Sequence, residues 1–184
     1  MLIVIEGCDG SGKTTLVQQL INDRRLPYFV VVTGARPSRA TLYEMQFELN
    51  WLNRHSPGQR IICDRHRRIS ECVYGSAYGR PIVWDDNMVV DHVLREVDVL
   101  IYCRPDHQVI ADNVKRTPQM EGVVDRTPDL IRRYDALMNA IDLRLNRCVL
   151  DAESTKTQTY HYDYLESSCY ENLIRFLTQE MANA

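Results

Sequence analysis

An excess of positive charge is missing from this sequence. Its 22 Lys and Arg are outnumbered by 25 Asp and Glu, a formal net charge of -3. There is then no general attraction to nucleic acid or to an anionic membrane, and any phosphate binding must come from a local basic site. A DNA-coating role is excluded on that ground, and no stable nucleic-acid partner is expected. Metal-ligand spacing is missing as well. The six cysteines (Cys8, Cys63, Cys72, Cys103, Cys148, Cys169) are spread widely, with no CxxC pair and no His-Cys cluster to suggest zinc. No apolar run is long enough for a signal peptide or a membrane span, and Leu2-Ile3-Val4-Ile5 opens the chain without a preceding basic segment. Repeats, linkers and low-complexity tracts are absent too. Cys63, Cys103 and Cys148 sit at the ends of apolar runs, where reduced cysteine serves as a small buried hydrophobe. The expected compartment is the reducing cytoplasm, with no membrane partner.

What is present is an ordinary globular composition. The chain has 184 residues, 45% hydrophobic and 26% charged, which fits one domain with one core and leaves disorder no serious place. Short β-branched runs alternate with longer amphipathic stretches, the pattern of strand-helix-strand units and a parallel sheet. Five strands are expected: Leu2 to Ile5, Tyr28 to Val32, Arg60 to Cys63, Val97 to Cys103 and Arg147 to Leu150. Helical spacing appears between them, in Leu16, Leu20 and Ile21 after the first strand and in Leu42, Met45, Leu49 and Leu52 after the second. Thr127-Pro128 reads as a helix start, Thr as cap and Pro in the first turn, with Leu130, Ile131, Tyr134, Leu137, Met138 and Ile141 continuing the pattern. A last helix carries Leu173, Ile174 and Leu177. Tyr160-His161-Tyr162-Asp163-Tyr164 stands outside these elements.

The chemistry begins at Gly7-Cys8-Asp9-Gly10-Ser11-Gly12-Lys13-Thr14, which satisfies G-x-x-x-x-G-K-[ST] between a strand and a helix. Glycines let backbone N–H groups turn inward around phosphate oxygens, and the helix N-terminus adds positive partial charge. Lys13 is then expected at the β- and γ-phosphates of ATP, and the Thr14 hydroxyl in the shell of a magnesium ion. With glycine at about 7% of average composition, a chance match in a chain this long is below roughly one in fifty. A second acidic group belongs with the loop. Asp64 ends the apolar run Ile61-Ile62-Cys63, at the carboxyl edge where parallel sheets bring ligands. It could hold magnesium or its water, take a proton from the acceptor, or simply cap a helix.

These residues resemble the thymidylate kinase branch of the P-loop nucleoside monophosphate kinases. Glu6-Gly7-Cys8-Asp9-Gly10-Ser11-Gly12-Lys13-Thr14-Thr15 is similar to that family's opening motif. Asp64-Arg65 is similar to its Asp-Arg-Tyr motif, with His66 where Tyr is usual. Thr33-Gly34-Ala35-Arg36-Pro37 stands where the family carries an Arg and Pro segment, and Leu150-Asp151-Ala152 resembles its ending after the fifth strand. The resemblance implies a three-layer α/β fold, a five-stranded parallel sheet flanked by helices, often in a homodimer. It implies that Asp9 meets the acceptor's sugar hydroxyl and that Arg36 and Arg65 hold the acceptor's phosphate, a task suited to planar guanidinium groups. Ser70 and Tyr74 fall near positions that line the acceptor base, Tyr74 being as well suited to core packing. A mobile lid is implied at about 115 to 127. Gly10 stands where some members have arginine, so Arg116 or Arg126 in the lid would supply the catalytic cation. Arg104, just past the fourth strand, would touch the donor or cap that edge.

The activity so implied is in-line phosphoryl transfer from ATP to a nucleoside monophosphate, thymidylate-like or a modified pyrimidine. Three rivals stay open, because a fold does not specify function. A deoxynucleoside kinase would usually show Glu-Arg-Ser where this chain has Asp64-Arg65-His66. A kinase of a modified-base or polynucleotide hydroxyl wants a basic groove, for which Arg65, Arg67 and Arg68 are candidates. A nucleotide switch or ATPase should show Asn-Lys-x-Asp, or Glu after its strand-end Asp, and neither is present.

Overall fold

Alternation of apolar side chains explains how the sheet is built and covered. In the computed structural model, which describes residues 1–27, 29–33, 58–117, 122–150 and 155–183, five strands form one parallel sheet. They are β1 (Leu2–Glu6), β2 (Val30–Thr33), β3 (Ile61–Asp64), β4 (Val99–Cys103) and β5 (Gln158–Tyr162), in the order β2-β3-β1-β4-β5. Successive side chains of a strand point to opposite faces, and β1 shows it cleanly. Leu2 and Val4 join one buried cluster with Cys63, Leu100 and Tyr102, whereas Ile3 and Ile5 join the other with Ile62, Val99 and Ile101. Both faces are dry, as a fully parallel sheet requires.

Helices cover the two faces unequally. On the face of Ile3 and Ile5 lie α1 (Lys13–Asn22) and α6 (Cys169–Asn183), contributing Leu16, Val17 and Leu20, and Leu173, Ile174 and Leu177. Ile21, expected in the α1 stripe, is exposed, and Val17 takes its place. The opposite face carries α2 (Arg67–Ala77), α3 (Asp86–Glu96), α4 (His107–Arg116) and α5 (Val123–Leu150). The Asp85 and Asp106 side chains accept from Met88 and Gln108 N–H and so start α3 and α4. Leu130, Ile131, Tyr134, Leu137, Met138 and Ile141 all point into the core, as their spacing predicts.

Two expectations are corrected. Arg147 to Leu150 is not a strand but the end of the 28-residue helix α5. The fifth strand is instead the Tyr-rich segment, pairing Val99 with Gln158 through Cys103 with Tyr162. Nor does Thr127 cap a helix start, because α5 begins at Val123 and holds Pro128 inside it. The Thr127 hydroxyl donates back to Val123 O at 2.9 Å, a bond that suits a Thr already within a helix. Residues 122 to 127 of the expected lid are thus mostly the opening of α5, and residues 118 to 121 lie outside the described residues. Arg36, the stripe Leu42 to Leu52 and the Asp151-Ala152 ending lie outside them as well. All six cysteines are buried and none forms a disulfide. Among the described residues, no helix is long and apolar enough to cross a membrane.

Candidate active site

The carboxyl ends of β1, β3 and β4 converge on one edge, and the loop after β1 turns there into α1. Gly7, Gly10 and Gly12 take φ values of +143°, +79° and +87°, the left-handed conformations that wrap a chain tightly. The Cys8 carbonyl accepts from Lys13 Nζ at 2.6 Å and from Ser11 N–H at 3.3 Å. Two donors of the loop are therefore turned inward on one oxygen, and a phosphate oxygen would compete with that carbonyl for them. Lys13 is buried, and burial pushes its ammonium below the ordinary lysine value, Arg65 acting in the same direction. Thr14 and Thr15 stand exposed on the first turn of α1. Ser11 is buried, its hydroxyl without a hydrogen-bond partner among the described residues.

Gly10 explains why no arginine stands in the loop. A Cβ there would lie 2.9 Å from both Ile110 O and Val114 Cγ2 of α4. The loop is packed directly on that helix, so a side chain is shut out by backbone as well as by conformation.

Asp64 ends β3 beside Ile5 of β1. It is not a helix cap: α2 starts at Arg67 with His66 in the cap position and no side-chain capping bond. Asp64 Oδ1 is buried without a donor among the described residues, and its charge helps hold the Lys13 ammonium protonated. An orphaned carboxylate oxygen on this edge, with the exposed Thr14 hydroxyl, suits magnesium, which takes one or two protein oxygens and fills its octahedron with phosphates and water. Among the described residues, no group of three or more His, Cys, Asp or Glu forms a dedicated cation cage.

Arg65 follows in a left-handed conformation, φ +80°, uncommon for a side-chain-bearing residue. That turn sends its guanidinium across the sheet edge. One nitrogen meets Asp9 Oδ1 at 2.5 Å, and another meets the Tyr134 hydroxyl at 3.1 Å. The guanidinium also lies 5.1 Å from the centre of the Tyr74 ring. Tyr74 donates to Asp9 Oδ2 at 3.0 Å, so both Asp9 oxygens are engaged. Tyr134 donates to Glu6 Oε2 at 3.1 Å, and Glu6 Oε1 takes the His66 amide at 2.5 Å. Glu6 is fully buried. Burial raises its carboxyl above the ordinary range against the pull of Arg65, the His66 amide and Lys13. Burial opposes the charge of Arg65, but Tyr74, Tyr134, Asp9 and Glu6 outweigh it and hold the guanidinium firmly protonated.

The remaining expected residues fall as follows. Ser70 is on α2, buried, its hydroxyl without a partner among the described residues. Tyr74 is buried on the same helix, and its hydroxyl ties it to the polar network rather than to apolar core alone. Arg126 donates to Ala77 O and lies 5.0 Å from the centre of the Tyr78 ring, docking the start of α5 on the end of α2. Arg116 is exposed at the end of α4. Arg104 is held by Asp135 of α5, at 2.7 Å from Nε and 2.9 Å from a terminal nitrogen, so it ties that edge to α5. Glu6 and Tyr134 were not expected here. Tyr134 looks like one more member of an apolar stripe, and only its hydroxyl betrays the polar role. Replacing it by Phe keeps the ring but leaves Glu6 Oε2 only the Gly7 N–H at 3.3 Å and the Arg65 nitrogen only Gly7 O at 3.5 Å. We expect Tyr134→Phe to lower stability by about 1–3 kcal/mol, read as a shift in urea midpoint at unchanged m-value; an unaltered midpoint would show the hydroxyl to be idle.

Beside the first turn of α1 a cavity of about 450 Å³ opens, lined among others by Gly12, Thr15, Gln19, Asn113, Tyr164 and Tyr170. It runs on from the loop toward the connection between β5 and α6.

No protein-family model and no curated protein matches this sequence. Solved structures do match. The YorR protein from Bacillus subtilis, in complex with phosphorylated GDP, superposes with a TM-score of 0.64 at 18% identity, over 100% of this chain and 99% of that one. Deoxyadenosine kinase from M. mycoides with bound dATP gives 0.56 at 17% identity, over 97% and 99%. The same enzyme with the products dCMP and dCDP gives 0.52 at 16%, over the whole of both chains. At such identities the likeness is one of fold: this chain has the helix-flanked, five-stranded parallel architecture on which those nucleotide-binding proteins are built.

Proposed function

We propose that the chain is a single-domain, ATP-dependent nucleotide kinase that moves the γ-phosphoryl group to a (deoxy)nucleoside monophosphate and releases the diphosphate. The observation that carries this reading is the Asp9–Arg65–Tyr74 cluster directly beside the phosphate loop. It sets a carboxylate of the loop itself, able to accept from a sugar hydroxyl, against a guanidinium able to grip an acceptor phosphate. ATP would lie with its phosphates in the loop of Gly7 to Thr15 and its nucleoside toward the cavity beside α1. Thr14 and Asp64 would hold magnesium, which when bound neutralises charge on the moving phosphoryl group. Lys13 shares that charge, and Arg116 or Arg126 adds the cation that Gly10 does not supply. Arg36 joins Arg65 on the acceptor phosphate, and Ser70 lies near the acceptor base, thymidylate-like or a modified pyrimidine. A homodimer completes the reading.

A deoxynucleoside kinase is the second reading, favoured by the fold likeness to a deoxyadenosine kinase. A panel separates the two. Purified protein with ATP and magnesium is offered all common and hydroxymethylated nucleosides, their monophosphates and a DNA oligonucleotide, with products resolved by chromatography. We expect at least one deoxynucleoside monophosphate to appear as its diphosphate. Labelling confined to free nucleosides would hand the assignment to the second reading, and labelling confined to DNA would reject both.

A further inference from the structure

The loop after β1, the last turn of α4 and the connection between β5 and α6 meet at one point, and one side chain joins them. Asn113, in the last turn of α4, uses its amide nitrogen twice: it donates to Gly10 O at 3.0 Å and to the Tyr164 hydroxyl at 2.9 Å. Tyr164 lies in the connection between β5 and α6, and its ring covers the loop where a Cβ on Gly12 would come within 2.9 Å of Cδ1. Gly10 is walled by Ile110 and Val114 of the same helix α4. The loop is therefore clasped from outside at Gly10 and Gly12, and the Asn113 amide closes the clasp.

The bond to Gly10 bears on phosphate binding through peptide geometry. In a trans peptide the carbonyl and the following N–H point in opposite directions. Holding Gly10 O outward against Asn113 turns the Ser11 N–H into the loop, where it now reaches Cys8 O at 3.3 Å. Gly10 has the freedom at φ +79° to let that peptide rotate if nothing held it. We propose that Asn113 is a positioning residue for the donor: it acts on the triphosphate through the Gly10 peptide, keeping the Ser11 amide aimed at a phosphate oxygen, with Tyr164 fixing the orientation of the Asn113 amide. This rests on the loop's holding a triphosphate, as proposed above.

An amide of the loop serves phosphate in the ground state and in transfer alike, so its loss should appear in KM rather than in kcat. The variant Asn113→Asp has nearly the same shape but no amide donor, and it sets a carboxylate beside a carbonyl. We expect it to raise KM for ATP by about tenfold, the equivalent of one charge-assisted hydrogen bond, with kcat within about threefold of wild type and a melting temperature lowered by the two lost hydrogen bonds and the added charge at the end of α4. Asn113→Ala should raise KM as much or less, and Tyr164→Phe less still, because the bond to Gly10 survives it. The readout is steady-state turnover with ATP varied at saturating acceptor, with calorimetry of ATP binding beside it. An Asn113→Asp protein with wild-type KM, or one whose kcat falls at constant KM, would overturn the role; should it melt below assay temperature, Asn113→Ala is judged by the same criterion. Wild-type protein that bound no ATP in the calorimeter would remove the donor reading and this role together. Tight wild-type binding beside an unaffected variant removes this role alone.

Discussion

We expect Lys13→Met to lose turnover by at least about a hundredfold, toward a thousandfold, while its melting temperature holds or rises. The first half follows from the place of the ammonium. It is buried at the head of α1 and tied to a loop carbonyl at 2.6 Å, and so already fixed where the proposed transfer would develop charge. A fixed charge in a water-excluded site needs no reorganisation during the reaction, which is why its loss is costly there. The second half follows from burial. Taking the lysine charge out of water is unfavourable, and its depressed basicity records that. Methionine has a similar length and fills the space without the charge. Ser11 N–H still serves Cys8 O. Turnover with ATP and magnesium, followed beside thermal melting, separates this outcome from simple unfolding. Retained turnover in a folded Lys13→Met protein would reject the loop as the site of phosphoryl transfer.

We expect Arg65→Ala to have the largest effect on stability, a loss of about 3–5 kcal/mol at neutral pH. The guanidinium stands between the buried Glu6 and the half-buried Asp9, bonded to Asp9 and to the tyrosine that carries Glu6. Its removal leaves buried negative charge without its counter-charge. The pH dependence has a definite sign. The Glu6 carboxyl in the folded protein lies above its unfolded value, so neutral Glu6 suits the fold, and the stability it contributes is present below the unfolded pKa of about 4.3 and lost as pH rises through the folded value. Arg65 is the largest of the influences that restrain this rise. Without it the folded value climbs further, so the deficit of Arg65→Ala relative to wild type should be smallest near pH 5 and widen toward pH 8. Urea denaturation at the two pH values tests this. A deficit equal at both would mean that Glu6 is not sensed by Arg65. Arg65→Lys, which keeps charge but not the fork, should recover part of the stability and little acceptor binding.

Some of this site is legible in the sequence and some is not, for reasons that differ by residue. The phosphate loop is legible because its geometry demands glycine and its chemistry demands Lys13, and both leave letters in a fixed order. Strands β1, β3 and β4 are legible because strands covered on both faces must be nearly continuous in Val, Ile, Leu and Cys. Among the described residues β5 is an edge strand bonded to β4 alone, and its side chains are mostly part-exposed. Gln158-Thr159-Tyr160-His161-Tyr162 therefore carries no apolar run, and only the β-propensity of its aromatics marks it. Arg147 to Leu150, short and apolar at the end of a long helix, imitates the missing strand because periodicity cannot separate the two over so few residues. Glu6 and Tyr134 escape for another reason. They lie 128 positions apart, and nothing local tells that a tyrosine in an apolar stripe meets a carboxylate at the end of β1. The same holds for Asn113, whose amide meets the Gly10 carbonyl and the Tyr164 hydroxyl.

The strand order carries a consequence for how the protein is made. Of the five strands β1 is made first, yet it lies in the middle of the sheet, with β3 on one side and β4 on the other. Its ladder is complete only once Cys103 has been synthesised, so until then a strand buried along its whole length has an unmatched side. Such segments are prone to wrong pairing. The interval before β4 emerges is thus the one in which a nascent chain of this topology most needs a chaperone, and the sheet edge where the carboxyl ends of β1, β3 and β4 meet matures only after it.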